Sequence, residues 1–191
     1  LEELPDFCYE YFAEMENYTS SLSRLNYAMD LRIFFDFLAR FKYKLTVKEI
    51  TTELLNKVTA SDIVSFLSYL SYYNYKGKTY KNTEKGKARK LASIRSLFKY
   101  LFNKEELTAD IASKIRMPKL HQKDILRLEV DEASRLINQA EAPVNLTKMQ
   151  QGFNKHTKER DVAILTLFLA TGIRVSELVG LNVEDFDFDN L

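Results

Sequence analysis

Apolar side chains recur at intervals of three and four along most of this chain, the periodicity of amphipathic helices. Between residues 20 and 41, Tyr27, Leu31, Phe34, Leu38 and Phe41 follow at intervals of 4, 3, 4 and 3, which predicts one buried face of a long helix. A shorter aromatic-rich helix is expected at 4–16. Thr59-Ala60-Ser61-Asp62 offers capping side chains ahead of IVSFLSYLSYY, a third helix. NYKGKTYKNTEKGK has two glycines, many lysines and no periodicity, and reads as a loop. A helix over about 83–103 and a short one within TADIASKI follow.

IRMPKLHQKD is the best candidate linker, because Pro118 disfavours helix at the residue before it and its neighbours are polar and basic. Domains are therefore expected at 1–117 and 118–191. In the second, EVDEASRLINQA reads as a helix, and EAPVNLTKMQQGFNKHTKERD as a loop with at most one helical turn. RDVAILTLFLA reads as a buried helix. VEDFDFDNL alternates Phe186 and Phe188 with acids, a strand signal. The chain ends inside that expected strand, which points to a truncated domain. No internal repeat is present.

Charge changes this picture of a plain helical protein. The formal net charge of +1 hides a basic middle: residues 76–127 hold 15 Lys/Arg against 5 Asp/Glu, while both flanking stretches are acidic. Such a block fits a surface facing a polyanion, though a solvated lysine-rich face would look the same. On the 83–103 helix, Leu91, Ile94, Leu97, Phe98 and Leu101 form one side. Opposite them lie Lys85, Arg89, Ala92, Ser93 and Ser96, with no acid among them. Cations and hydroxyls can bind phosphate or base edges, and alanine permits close approach, so this face suits a DNA groove. Lys87 on the same helix, and Lys119 and Lys123 in the linker, extend the expected DNA-binding set. One cysteine and two histidines offer no disulfide framework and no metal cluster, and no apolar run reaches membrane-spanning length. A cytoplasmic protein without cofactor, metal or small-molecule substrate is expected.

Arg174 follows FLATGI and precedes VSEL, where Gly172 can turn the chain and a new helix can start. A cation beside helix-start N–H groups favours a phosphate, and Glu177, three residues on, can hold the guanidinium. An ordinary surface ion pair has the same spacing. The longer stretch ERDVAILTLFLATGIRVSELVGLNVEDFDFDN resembles the start of the catalytic domain of tyrosine recombinases, the family of phage and transposon integrases and Xer proteins. Ser20-x-x-Ser23-x-x-x-Tyr27-x-x-Asp30-Leu31-x-x-Phe34 is similar to a motif of their core-binding domain, RKLASIRSLFKYLF to their DNA-entering helix, and IRMPKL to their interdomain linker.

The resemblance implies a mainly α fold: a SAM-like helical core-binding domain, then the helical start of an α+β catalytic domain. It implies site-specific recombination of double-stranded DNA through a phosphotyrosyl intermediate, by a tetramer on DNA, without metal or nucleotide. Arg174 would be the first active-site arginine, on the scissile phosphate, with Glu177 supporting it. The family's later lysine, His-x-x-Arg and nucleophilic tyrosine have no counterpart here, since all 11 tyrosines lie between Tyr9 and Tyr100. His156 precedes Arg174 and is followed by arginine four positions on, the wrong order and spacing. The chain alone is thus expected not to cleave DNA. A non-catalytic DNA-binding accessory module is the alternative, and a protein-binding helical bundle a third reading. The Lys-rich 76–87 segment and a long loop at 142–156 point towards a mobile-element integrase.

Overall fold

Hydroxyl and carboxylate caps set the helix starts of this chain. Ser20 Oγ accepts the Ser23 N–H at 3.2 Å and opens α2 (Ser21–Phe37), behind a shorter α1 (Cys8–Met15). Thr51 caps α3 (Thr52–Leu55), a single turn that periodicity does not reveal. Thr59 and Asp62 cap each other's backbone N–H groups at the start of α4 (Ala60–Tyr69), and Thr83 caps α5 (Glu84–Asn103). The computed structural model describes residues 2–120 and 126–187 and divides into two units, Leu1–Gln122 and Lys123–Leu191. The division falls a few residues beyond the 117/118 boundary expected from Pro118.

In the first unit, helices α1, α2, α4 and α5 enclose a core rich in aromatic rings. Phe34 is fully buried, with ring centroids of Phe66 at 5.2 Å, Phe35 at 5.6 Å and Phe98 at 6.4 Å. The apolar side of α5 packs as expected, with Leu91, Ile94, Leu97, Phe98 and Leu101 all buried. The α2 stripe departs from expectation at its end. The backbone widens into a π-helical stretch over Leu38–Tyr43, which rotates Phe41 out of register, so that it is 56% exposed while Leu31, Phe34 and Leu38 are buried.

The segment read as a loop holds an antiparallel hairpin, β1 (Tyr73–Tyr75) with β2 (Lys78–Tyr80), register Tyr73↔Tyr80. Its two-residue turn is Lys76-Gly77, both with positive φ (49° and 76°), the geometry that matches strand twist. YNYKGKTY carries that signal: alternating aromatics around a Lys-Gly pair. The helix expected in TADIASKI is one 3₁₀ turn, Ala112–Lys114.

The second unit contains α6 (Val130–Glu141), α7 (Lys148–Thr171) and α8 (Val175–Val179). Two expectations fail here. The loop foreseen over 141–161 is helical from Lys148 onward, because Thr147 and Gln150 form a capping box and Gly152 is tolerated mid-helix. That removes the long 142–156 loop as an argument for a mobile element. RDVAILTLFLA is helical but not buried: α6 packs on α7 without enclosing its apolar side, and Leu169 is 39% exposed. Among the described residues of this unit, none is buried. Of the expected strand, Val183–Asp185 form a 3₁₀ turn capped by Asp185 on the Asn182 N–H. Phe188 and the residues after it lie outside the described residues.

Candidate DNA interface

The basic residues of α5 sort by the angle at which they leave the helix. Lys85, Arg89 and Lys99 are exposed, with Ala92 and Ser96 half-buried between them and Asn103 beyond. That stripe carries no acid of its own. Lys85 and Lys99 have no ion-pair partner among the described residues. Lys99 belongs to the same face and was missed by sequence reasoning, although its spacing from Ser96 and Asn103 places it there. Ser96 Oγ accepts the Tyr11 hydroxyl at 2.9 Å, which fixes it at the edge of the stripe. Burial pushes the Tyr11 hydroxyl's pKa well above the ordinary tyrosine range, so it stays a donor.

Ser93 is not on the open face. It is 1% exposed and donates to Asp30 Oδ2 at 3.0 Å, because α2 packs against that flank of α5. Asp30, also 1% exposed, is the centre of a charged cluster: Arg89 Nη1 donates to Oδ2 at 2.6 Å, and Lys90 Nζ lies 3.4 Å from Oδ1. Lys90 is itself buried and donates to Asn82 Oδ1 at 3.3 Å. Burial raises the Asp30 pKa above the usual aspartate value, while Lys90, Arg89 and Ser93 pull against that rise. One carboxylate with two cations leaves the cluster one positive charge in excess, below the exposed stripe. Sequence reasoning placed Arg89 on the open face and could not see its buried acid, since α2 supplies it from 59 residues away.

The other expected contacts vary. Lys87 is half-buried and bound to Glu84 at 3.0 Å, off the open stripe. Lys119 is exposed, and Lys123 lies outside the described residues. Arg95, a further α5 cation, is committed to carbonyls of the following turn, donating to Ala112 O at 3.1 Å and also to Ile115 O. It fastens the last described stretch of the first unit to α5.

In the second unit Arg174 is the residue before α8. Glu177 Oε2 accepts its backbone N–H at 2.8 Å and Oε1 its guanidinium Nη1 at 2.9 Å. The guanidinium is otherwise open, its side chain 81% exposed. Gly172, with φ +66°, ends α7 in the left-handed conformation that glycine adopts without cost and turns the chain towards Arg174. Among the described residues, no cluster of His, Cys, Asp and Glu could hold a metal, and no helix is long and apolar enough to cross a membrane.

The first unit is thus a helical bundle with an exposed basic stripe on α5, backed by a buried charged cluster. Residues 9–105 match the family of the phage integrase N-terminal SAM-like domain, and the chain belongs to that family. Among curated proteins, tyrosine recombinase XerC of Caldanaerobacter subterraneus subsp. tengcongensis is 31% identical over 175 residues, which is 86% of this chain and 44% of that protein. Tyrosine recombinase XerC of Syntrophus aciditrophicus is 34% identical over 180 residues, 94% of this chain and 52% of that protein. Tyrosine recombinase XerD of Bifidobacterium longum is 30% identical over 132 residues, 69% of this chain and 38% of that protein. The chain spans about half the length of these curated XerC relatives. No solved structure matches it significantly.

Proposed function

We propose that this chain is the DNA-binding half of a site-specific tyrosine recombinase, with residues 1–117 as its core-binding domain and 118–191 as the beginning of its catalytic domain. The observation that carries the reading is the acid-free α5 stripe of Lys85, Arg89 and Lys99, which lies inside the segment matched by the integrase SAM-like family. Duplex DNA is the partner, held through phosphate contacts from the lysines, with Ala92 and Ser96 allowing close approach. Lys119 and Lys123 would follow the backbone from the linker, and Lys87, bound to Glu84, would contribute least.

Arg174 would contact non-bridging oxygens of the scissile phosphate and offset charge that builds in the pentacoordinate transition state. Glu177 would hold it ready. The nucleophile would be a tyrosine outside this chain's 11, forming a phosphotyrosyl link that conserves the bond for religation. The chain on its own would bind DNA without cutting it, and tetramer assembly on paired sites would belong to the whole cytoplasmic enzyme.

The test is duplex binding by the 191-residue chain over a range of salt. The expected result is affinity that falls steeply as salt rises, through release of condensed counterions. Absent or salt-indifferent binding would overturn the reading in favour of a protein-binding bundle.

A further inference from the structure

Arg89 and Asp30 are arranged in a way that a phosphate-seeking cation does not need. Lys85 and Lys99 show what such a cation looks like here: exposed, with no ion-pair partner among the described residues, on flexible stems. Phosphate attraction tolerates that freedom, because it depends on charge and barely on direction. Arg89 instead has Nη1 fixed 2.6 Å from a carboxylate that cannot move, since Asp30 is 1% exposed, sits on a core helix and accepts a second hydrogen bond from Ser93 at 3.0 Å. Among the described residues that is the only hydrogen bond the Arg89 guanidinium makes, and the side chain is half exposed.

Neutralising Asp30 does not explain the pairing. Buried Lys90, 3.4 Å from Oδ1, already balances the carboxylate from inside. Arg89 therefore keeps its charge for an outside partner while its plane is set by Asp30. With Nη1 turned inward, the Nε–Nη2 edge is left as a rigid two-donor fork, and a guanine O6/N7 pair is the base edge that such a fork fits. Ala92, one turn further on, leaves room for that approach.

We propose that Arg89 is a specificity-determining residue that reads a guanine in the major groove, that Asp30 is the positioning residue aiming its fork, and that the lysines supply attraction without sequence preference. This rests on the DNA-binding reading above. Asp30 acts through Arg89 and does not touch DNA.

The test incubates the 191-residue chain with duplexes carrying a randomised central segment and sequences the retained fraction. The wild type should prefer guanine at one position by roughly 5- to 150-fold, the range of a good bidentate contact. Arg89→Lys, which keeps the charge and loses the fork, should erase that preference while affinity for a fixed-sequence duplex changes only a few-fold. Asp30→Asn, shown to be folded by circular dichroism, should weaken the preference in the wild-type background and add nothing in the Arg89→Lys background. Should Asp30→Asn fail to fold, Ser93→Ala loosens the same carboxylate without removing its charge and should weaken the preference partially. A preference that survives Arg89→Lys, or a wild type that binds duplex with no guanine position, overturns the proposal. A full preference in a folded Asp30→Asn variant, or in Ser93→Ala where that variant has to serve, removes the positioning role of Asp30. Retention of no duplex at any salt would instead sink the DNA-binding reading itself.

Discussion

Neutralising Lys85 and Lys99 together offers a direct measure of how the α5 stripe works. Residues 84–103 hold six Lys/Arg, and four of them have partners within the fold. Lys87 is paired with Glu84, Arg89 with Asp30, Lys90 is buried against Asp30, and Arg95 is bound to backbone carbonyls. The two that remain should each neutralise one phosphate. Each such contact on duplex DNA contributes about 0.9 to the slope of log affinity against log salt. Near 0.1 M salt this amounts to about eightfold in affinity per lysine, so a Lys85→Ala/Lys99→Ala variant should bind about 60-fold more weakly and show a slope flatter by about 1.8. Fluorescence anisotropy with a labelled duplex of arbitrary sequence reads both quantities. Thermal unfolding should be almost unchanged, as expected for surface substitutions that break no contact. The refuting result is a parallel line: weaker binding with an unaltered slope would mean that these lysines do not meet phosphates.

Two further predictions concern the scaffold. Asp62→Ala removes both the capping partner of Thr59 and the ion pair to Lys42 at 2.6 Å, and should cost about 1–2 kcal/mol at neutral pH in urea unfolding. Burial works against Asp62 ionisation, but the Lys42 and Thr59 hydrogen bonds outweigh it and hold its pKa below the usual aspartate value, so its contribution is present above that value and lost as pH falls through the lower folded pKa. The wild-type advantage should therefore shrink near pH 3; an advantage that persists unchanged there refutes the assignment. Phe34→Ala should destabilise the first unit by about 3–5 kcal/mol, since its ring is fully buried among Phe35, Phe66 and Phe98. A loss under about 1 kcal/mol would show that the aromatic cluster can collapse around the gap.

Much of the fold was legible because local chemistry and packing agree in the first unit. Ser20, Thr59 and Thr83 start helices where their hydroxyls can cap, and the α5 stripe from Leu91 to Leu101 is buried as its spacing requires. The failures have physical causes. Phe41 fits the 3–4 periodicity, but a π turn adds a residue that periodicity cannot anticipate. NYKGKTYKNTEKGK reads as a loop on its glycines and lysines, and Tyr73 as the end of the helix before it, although alternation and a Lys-Gly turn in YNYKGKTY encode the hairpin. The stretch after Thr147 is polar enough to read as loop, yet its capping box and lack of proline let α7 run through it. Ser93 lay close enough to the open side on a helical projection, and only the position of α2 decides that it is buried.

The two arginines singled out by sequence show where such reasoning stops. Glu177 lies three residues from Arg174, so one helical turn brings the pair together, and the resulting contact needs nothing from the rest of the fold. An exposed pair of that kind is weak, and the Arg174 guanidinium stays free to turn towards an anion. The acid of Arg89 is on another helix, 59 residues earlier, and is buried by the same core that forms the aromatic cluster. Its hold on the guanidinium exists only when the first unit is folded, because packing of the core is what fixes the carboxylate in place. A restraint that depends on tertiary packing suits a group that must present one fixed edge. A local, exposed restraint suits the role proposed for Arg174, closing on a charge as it develops. The difference between these devices follows from where each acid sits, and for Arg89 only the folded chain reveals it.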